Sequence, residues 1–393
     1  MNWMFCTILV HIGAVVVQSQ NTTLPTTTLA PSYVRHNLFA ADIFKAIALG
    51  KSNNNVVISP AAMQISLALA YYGAKGKTAT EMQTGLRLGS ADPEEVVRRF
   101  AEFQQTFGSD KNVRLVNKIF INDKLEFNEK FNEIAQRYFN LKVEKADFHP
   151  PQNKPTADSI NKLIEEKTNK KIRNVIKPEQ LNEFTEGVIV NGISFIAPWK
   201  NAFKADKTSR RPFLVRGTQN VQVDTMWTLN NFKYAELNNL DAKVVELPYQ
   251  NTHFAMLVFL PNKNDGLRDL EQKLAGKNLV GLVEYELIPQ KVEVYLPKFS
   301  VSYGVNLQEP LKQLGITSMF TGETKRMFVS DYNITANYKA SVEVAEAGAE
   351  QPIVLGVIKG FFSRHKILDV NHPFLFAIRY KYSIIFVGHI ANV

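Results

Sequence analysis

The sequence predicts a single α+β domain over residues 34–393, and three observations set that expectation. Helix-like periodicity dominates the first half of the chain and strand-like runs the second, with a few strands scattered early. That order suits α+β architecture rather than alternating βαβ units. No internal repeat and no Pro/Gly/Ser-rich linker divides the chain after residue 33. With 393 residues, 45% hydrophobic and 21% charged, the chain can bury a large core.

Residues 1–19 carry no Lys, Arg, Asp or Glu. The apolar run at 5–17 is shorter than the roughly 20 residues of a membrane span. Small residues around Val17-Gln18-Ser19 offer a cleavage site, so the segment reads as a secretory signal peptide and the protein as extracellular. An uncleaved signal anchor is the alternative, since no basic stretch follows the amino terminus. No other stretch could span a bilayer. Cys6, the only cysteine, lies inside this segment. The secreted chain must then be held by packing rather than disulfides, with no thiol for catalysis or metal binding. Residues 20–33 form a Thr/Pro-rich flexible arm. Asn21 and Asn333 head N-glycosylation sequons, which secretion would make usable.

Within the domain, residues 39–48 are helical in pattern, and 56–59 form a short β-branched run before Pro60. Residues 63–73 are almost unbroken small and apolar positions, including Ile65, Leu67 and Leu69, which describes a helix buried on most sides. Helices are expected at 78–86, 93–107 and 128–139, with a strand at 114–122. Between 160 and 181, helical spacing puts Ile160, Leu163 and Ile164 on one apolar face. Strands follow at 187–195, 243–247, 254–260 and 291–296, the last three ended by Pro248, Pro261 and Pro297. Residues 307–314 form a helix with Gly315 placed to cap it.

Residues 338–345 alternate polar and apolar side chains like a strand. They lead through Glu346-Ala347-Gly348-Ala349-Glu350 to Phe362-Ser363. Two dense apolar strands, 373–380 and 384–390, come after. A long connection held between a strand and a core hairpin is tethered at both ends, and a tethered loop can present one peptide bond to a protease.

The net charge of +9 suggests affinity for polyanions such as glycosaminoglycans. Lys162, Lys167, Lys170, Lys171, Arg173 and Lys177 form the densest cluster. Glu165 and Glu166 interleave with it, which equally suits a solvated helix face with ordinary ion pairs. No nucleic-acid motif is present. Nor is there a nucleophile elbow, phosphate-cradling loop, dinucleotide fingerprint or zinc-protease helix. The seven histidines show no metal-ligand spacing, so no metal, cofactor or catalytic residue is assigned.

From about residue 33 to the end, a series of segments resembles the serpin family of serine protease inhibitors. They include Asn55-Val56-Val57-Ile58-Ser59-Pro60, Gly73-Ala74-Lys75-Gly76-Lys77-Thr78, Ile160-Asn161-Lys162 and Lys167-Thr168-Asn169-Lys170-Lys171-Ile172. Val190-Asn191-Gly192, Trp199, Phe203, Thr208, Glu246-Leu247-Pro248-Tyr249 and Leu296-Pro297-Lys298-Phe299 continue the match. Leu314-Gly315-Ile316, His372-Pro373-Phe374-Leu375-Phe376 and Phe386-Val387-Gly388 complete it. The resemblance implies a monomer with three β-sheets surrounded by about nine helices. It also implies a metastable five-stranded central sheet and an exposed reactive loop. A protease cleaves the loop and is held as an acyl-enzyme while the first half of the loop enters the central sheet as a new strand.

The resemblance further makes Glu346, Gly348, Ala349 and Glu350 the hinge and Phe362-Ser363 the scissile bond. Phe362 would suit a chymotrypsin-like extracellular serine protease. A shift of one or two residues moves the bond to Ser363-Arg364 or Arg364-His365, the latter trypsin-like. Ser59 and Asn191 match the polar cluster beneath the opening strands, and Trp199 the aromatic at the insertion point. The sequence departs from the family pattern at four places. Ala62 stands where Ser is usual, Tyr338 where His is usual, and Gln351 and Pro352 where small residues follow the hinge. Pro352 would remove a ladder hydrogen bond from the inserted strand. These departures leave a second reading open, a non-inhibitory serpin that is cleaved as a substrate or acts as a binding or carrier module.

Overall fold

The computed structural model describes residues 30–51, 53–126, 128–215, 219–320, 334–346 and 365–393. The chain opens with helix α1 (Pro31–Ala48), strand β1 (Val56–Ile58) and helices α2 (Pro60–Gly73), α3 (Gly76–Gly85) and α4 (Pro93–Gly108). Then come β2 (Val113–Asn122), α5 (Glu129–Phe139), β3 (Glu144–Ala146), α6 (Asn153–Lys167) and β4 (Gly187–Phe195). The middle is strand-rich: β5 (Ser209–Val215), β6 (Gln219–Leu237), β7 (Ala242–Pro248) and β8 (Phe254–Pro261). Helices α7 (Leu267–Leu274) and α8 (Leu279–Val283) precede β9 (Ile288–Pro297), β10 (Phe299–Asn306), α9 (Gln308–Gln313) and β11 (Ile334–Val344). The chain closes with β12 (Lys366–Asp369), β13 (Phe374–Tyr380) and β14 (Ser383–Ile390).

Local chemistry explains most boundaries. Pro60 opens α2 at its first turn, and Ser59 caps it by accepting from the Ala62 amide at 3.2 Å. Every residue of α2 is buried, as its unbroken apolar run requires. Asn128 caps α5, and Asn140 ends it in the left-handed region at φ 49°. Gly315 takes φ +83° just beyond α9, the conformation a helix stop demands.

Several expected boundaries shift, and two of the shifts have a clear local cause. Helix α1 begins at Pro31, eight residues before the expected start and inside the stretch assigned to the arm. Proline is pre-organised for a first helical turn, a signal the apolar periodicity did not carry. The helical face expected to run on towards residue 181 stops at Lys167. Thr168 folds its hydroxyl back onto the Ile164 carbonyl at 2.7 Å, and Asn169 and Lys170 then take positive φ.

Among the described residues the strands form two hydrogen-bonded networks. One is a five-stranded sheet in the order β10-β11-β4-β2-β3. The other runs β1-β14-β13-β8-β7-β6-β9-β12, with β5 also on β6. Strand β6 pairs with β5 and β9 through its first part and with β7 through residues 233–237, so two of the three expected sheets share it. Helix α2 lies between the networks, touching β4 on one side and β14 on the other. At Gly388 of β14 an added Cβ would meet the Val56 carbonyl at 2.4 Å, so only glycine lets β1 come this close. Helix α6 covers the opposite face of the five-stranded sheet. Its Ile160 and Ile164 join Val116, Phe120, Val188 and Val190 in a second, smaller core.

Candidate functional site at the seam between β4 and β11

Strand β11 is the last element before residues 347–364, and β12 the first after them. Within the sheet β11 has unlike neighbours. It pairs antiparallel with β10, from Asn306↔Asn337 to Phe299↔Val344, and parallel with β4, from Ile334↔Gly187 to Val342↔Phe195. A chain leaving the end of β11 and turning back runs antiparallel to both β11 and β4. Entering between them, it would replace one parallel ladder by two antiparallel ones, which pair slightly better per residue. A strand returning from β11 would therefore gain most in pairing at the β4–β11 seam.

At the exit of β11 the chain is clasped. The Trp199 indole donates to the Ala345 carbonyl at 2.8 Å, and the Phe203 amide to the Glu346 carbonyl at 3.2 Å. The Glu346 carboxylate accepts from Thr208 Oγ1 at 2.9 Å and pairs with Lys298 Nζ at 3.0 Å. Burial pushes the Glu346 carboxyl up, but hydrogen bonds from its own amide, Lys298 and Thr208 outweigh this and hold it below the usual glutamate value. Trp199 stacks on Tyr249 with ring centroids 4.3 Å apart and planes 11° apart, and a β-bridge joins the two residues.

Midway along, each strand is tied to the start of α2. On β11, the buried Tyr338 hydroxyl accepts from the Ser59 amide, and burial pushes its phenol well above the usual value. Across the ladder on β4 lies Asn191. Its amide nitrogen donates to the Ala62 carbonyl at 3.2 Å, to Ser66 Oγ at 2.8 Å and to Asn117 Oδ1. Separating the strands pulls both on one helix end. Among the described residues, Asn191 Oδ1 is buried without a partner, so this cluster is incompletely satisfied, and Asn337 Nδ2 on the opposite face of β11 is likewise unpartnered.

On the outer face the connection after α6 crosses to β11. Lys171 pairs with Glu343 at 2.7 Å, the Lys339 ammonium donates to the Arg173 carbonyl at 2.7 Å, and Gln180 donates to Asn337 at 3.1 Å. Residues 337, 339 and 343 alternate with Tyr338, so they face away from α2.

The structure thus gathers five of the residues picked from sequence at one seam: Ser59, Asn191 and Tyr338 at its middle, Trp199 and Glu346 at its exit. Ala62 contributes through its backbone amide and carbonyl, to Ser59 and Asn191. Gly348, Ala349, Glu350, Gln351, Pro352, Phe362, Ser363, Asn21 and Asn333 lie outside the described residues. Sequence reasoning gave no role to Lys298, Thr208 and Phe203, although all three sit in segments that carried the resemblance. It missed Ser66 and Asn117 altogether, because polar residues in a helix and a strand give no sign that they meet.

Comparison with known proteins agrees with this geometry. Residues 35–393 match the model of the family described as Serpin (serine protease inhibitor). This chain belongs to the serpin family, whose members are mostly inhibitors of serine proteases rather than enzymes. It is 31% identical to Serine protease inhibitor 42Dd of Drosophila melanogaster, covering 89% of this chain and 95% of that one. It is 30% identical to Alaserpin of Manduca sexta, covering 87% and 88%. Among solved structures, Serpin48 of the insect Tenebrio molitor, described as a highly specific serpin, superposes with a TM-score of 0.81. That match has 28% identity and covers 92% of this chain and 98% of that one. No helix among the described residues is long and apolar enough to cross a membrane.

Proposed function

We propose that this chain is a secreted, monomeric inhibitor of serine-type endopeptidases that traps its target by inserting the cleaved loop between β4 and β11. The observation that carries the reading is the direct parallel pairing of β11 with β4, in a five-stranded sheet whose last strand leads straight into the loop sequence. Phe362-Ser363 is the bait bond, favouring a chymotrypsin-like extracellular protease. Gly348, Ala349 and Glu350 complete the hinge, and Glu346 is its anchored end. The inhibitor supplies no catalytic residue and needs no cofactor. Trapping is a race between insertion and deacylation, and each 1.4 kcal/mol on the insertion barrier changes its rate about tenfold. Asn21 and Asn333 carry the glycans. In the basic cluster after Lys162, Lys171 and Arg173 are paired with Glu343 and Glu165. Lys162, Lys167, Lys170 and Lys177 form no ion pair among the described residues and supply the charge for a polyanion.

Gln351 and Pro352 support the second reading, a serpin cleaved without trapping. Chymotrypsin separates the two. Incubated with the mature protein, it should give a complex that survives SDS, together with a product cut after Phe362. Cleavage there with no complex, and no gain in melting temperature afterwards, would instead establish the non-inhibitory form.

A further inference from the structure

Outside the seam, α1, α4 and the turn before α4 form a pocket of about 140 Å³ that is open to solvent on one side. Its walls are largely apolar: Leu88, Phe100, Phe103 and the Tyr33 ring. Its rear is His36, whose ring nitrogens are taken by Gln64 Oε1 at 2.6 Å and the Ile384 carbonyl at 2.7 Å. Three arginines, Arg35, Arg87 and Arg99, also line it, and among the described residues no carboxylate does.

The three cations are unequally neutralised. Arg87 pairs with Asp42 at 2.7 Å. Arg99 donates to the Leu88 carbonyl, a neutral acceptor. Arg35 has no ion-pair partner among the described residues, and its guanidinium lies over Gly89, where an added Cβ would come within 2.3 Å of Nε. Burial and the neighbouring Arg35 depress Arg99, with Glu95 only partly opposing them. Two half-buried guanidinium groups share one apolar pocket with too little negative charge around them. A carboxylate between them would relieve the repulsion and form charge-assisted hydrogen bonds.

Size narrows the ligand. A space of roughly 150 Å³ matches about one benzene ring, so an extended polyanion could place only a terminal group in it. We infer that the pocket between α1 and α4 binds a small amphipathic monocarboxylate, its ring or short branched chain among Phe100, Phe103 and Leu88 and its carboxylate between Arg35 and Arg99. The site is independent of the loop and of the polyanion cluster after Lys162.

Phenylacetate is the probe, with 2-phenylethanol as its neutral counterpart and inorganic phosphate as the bare anion. Titration calorimetry on the mature protein should show phenylacetate binding at least about tenfold more tightly than either control, as expected for a hydrogen bond to a charged group. Arg35→Gln should weaken phenylacetate about tenfold and leave 2-phenylethanol unchanged. Phe103→Trp, which fills the cavity without altering its charge, should abolish phenylacetate binding. Equal affinity for phosphate would reduce the site to a surface charge patch, and equal affinity for the alcohol to a greasy hole. Either result, full binding to the Phe103→Trp protein, or no binding to the parent protein would overturn the assignment.

Discussion

The β4–β11 seam and the β8–β13–β14 hairpin core lie on opposite sides of α2 and are built on opposite plans. In the hairpin core all pairings are antiparallel, and Phe259, Phe376, Ala377, Ile385, Phe386 and Val387 are all fully buried. Of its buried polar residues, His389 has both ring nitrogens occupied, by Glu271 and by the Asn54 carbonyl at 2.7 Å, while the other Glu271 oxygen is unpartnered among the described residues. In the seam the pairing is parallel, and Asn191, Asn337, Tyr338 and Ser341 put polar atoms in the interior. Two of those atoms have no partner among the described residues. The two regions therefore do different work. The hairpin core is held by apolar packing, whereas the seam is tied by polar side chains to α2.

The largest effect should come from breaking the fixed side. Phe386 is fully buried on β14 and packs against Phe195 with ring centroids 5.8 Å apart. Replacing it with alanine leaves a cavity that costs about 3–5 kcal/mol. The denaturant midpoint of Phe386→Ala should fall accordingly, with little folded protein recovered at 37 °C. A loss under about 1 kcal/mol would mean that the hairpin core is no more rigid than the seam.

A smaller change at the seam should act on rate as much as on stability. Tyr338→Phe removes only the hydroxyl that accepts from Ser59 and strands a buried amide, at about 1–3 kcal/mol. On the proposed insertion mechanism that loss falls on the closed seam alone, since opening the seam would separate Tyr338 from Ser59. Uptake of a synthetic peptide covering residues 347–360 should therefore accelerate about tenfold for each 1.4 kcal/mol lost. Unchanged uptake with lowered stability would show that the tyrosine tie is not what keeps the strands together.

The same contrast explains how much could be read in advance. The hairpin core was legible because a continuous apolar run such as Ile384–Phe386 has few alternatives to a buried strand. Strand β6 was not legible. Gln222, Asp224, Thr228, Asn230 and Asn231 interrupt its apolar pattern, and only pairing with β5, β9 and β7 makes it one strand. At the site, Ser59, Asn191, Trp199, Tyr338 and Glu346 came from the family resemblance rather than from periodicity. The Lys298 and Thr208 contacts to Glu346 join residues far apart in sequence, and no local pattern reports such a meeting. Tyr338 looked like a departure that weakens the cluster. In the structure it ties β11 to the helix start through its own hydroxyl.

The smallest effect belongs to the clasp at the exit of β11, and pH exposes it. Lys298 is 37% exposed and Glu346 15%, so solvent screens their ion pair and Glu346→Gln should cost under about 1 kcal/mol at neutral pH. The folded-state pKa of Glu346 lies below its ordinary value of 4.5. A depressed carboxyl stabilises the fold fully above the ordinary value and loses that contribution as pH falls through the folded one. The clasp should hold from neutral pH down to about 4.5 and loosen below it. Trp199 reports the change directly, because its indole is bonded to Ala345, the residue before the carboxylate. Read in a Trp227→Phe background, because Trp227 is hydrogen-bonded to the likewise depressed Glu293, the Trp199 fluorescence should show an acid transition with a midpoint below 4.5, and Glu346→Gln should remove that transition while leaving the neutral-pH spectrum nearly unchanged. A transition that persists in the variant would assign acid sensitivity to another carboxylate and leave the clasp a passive contact.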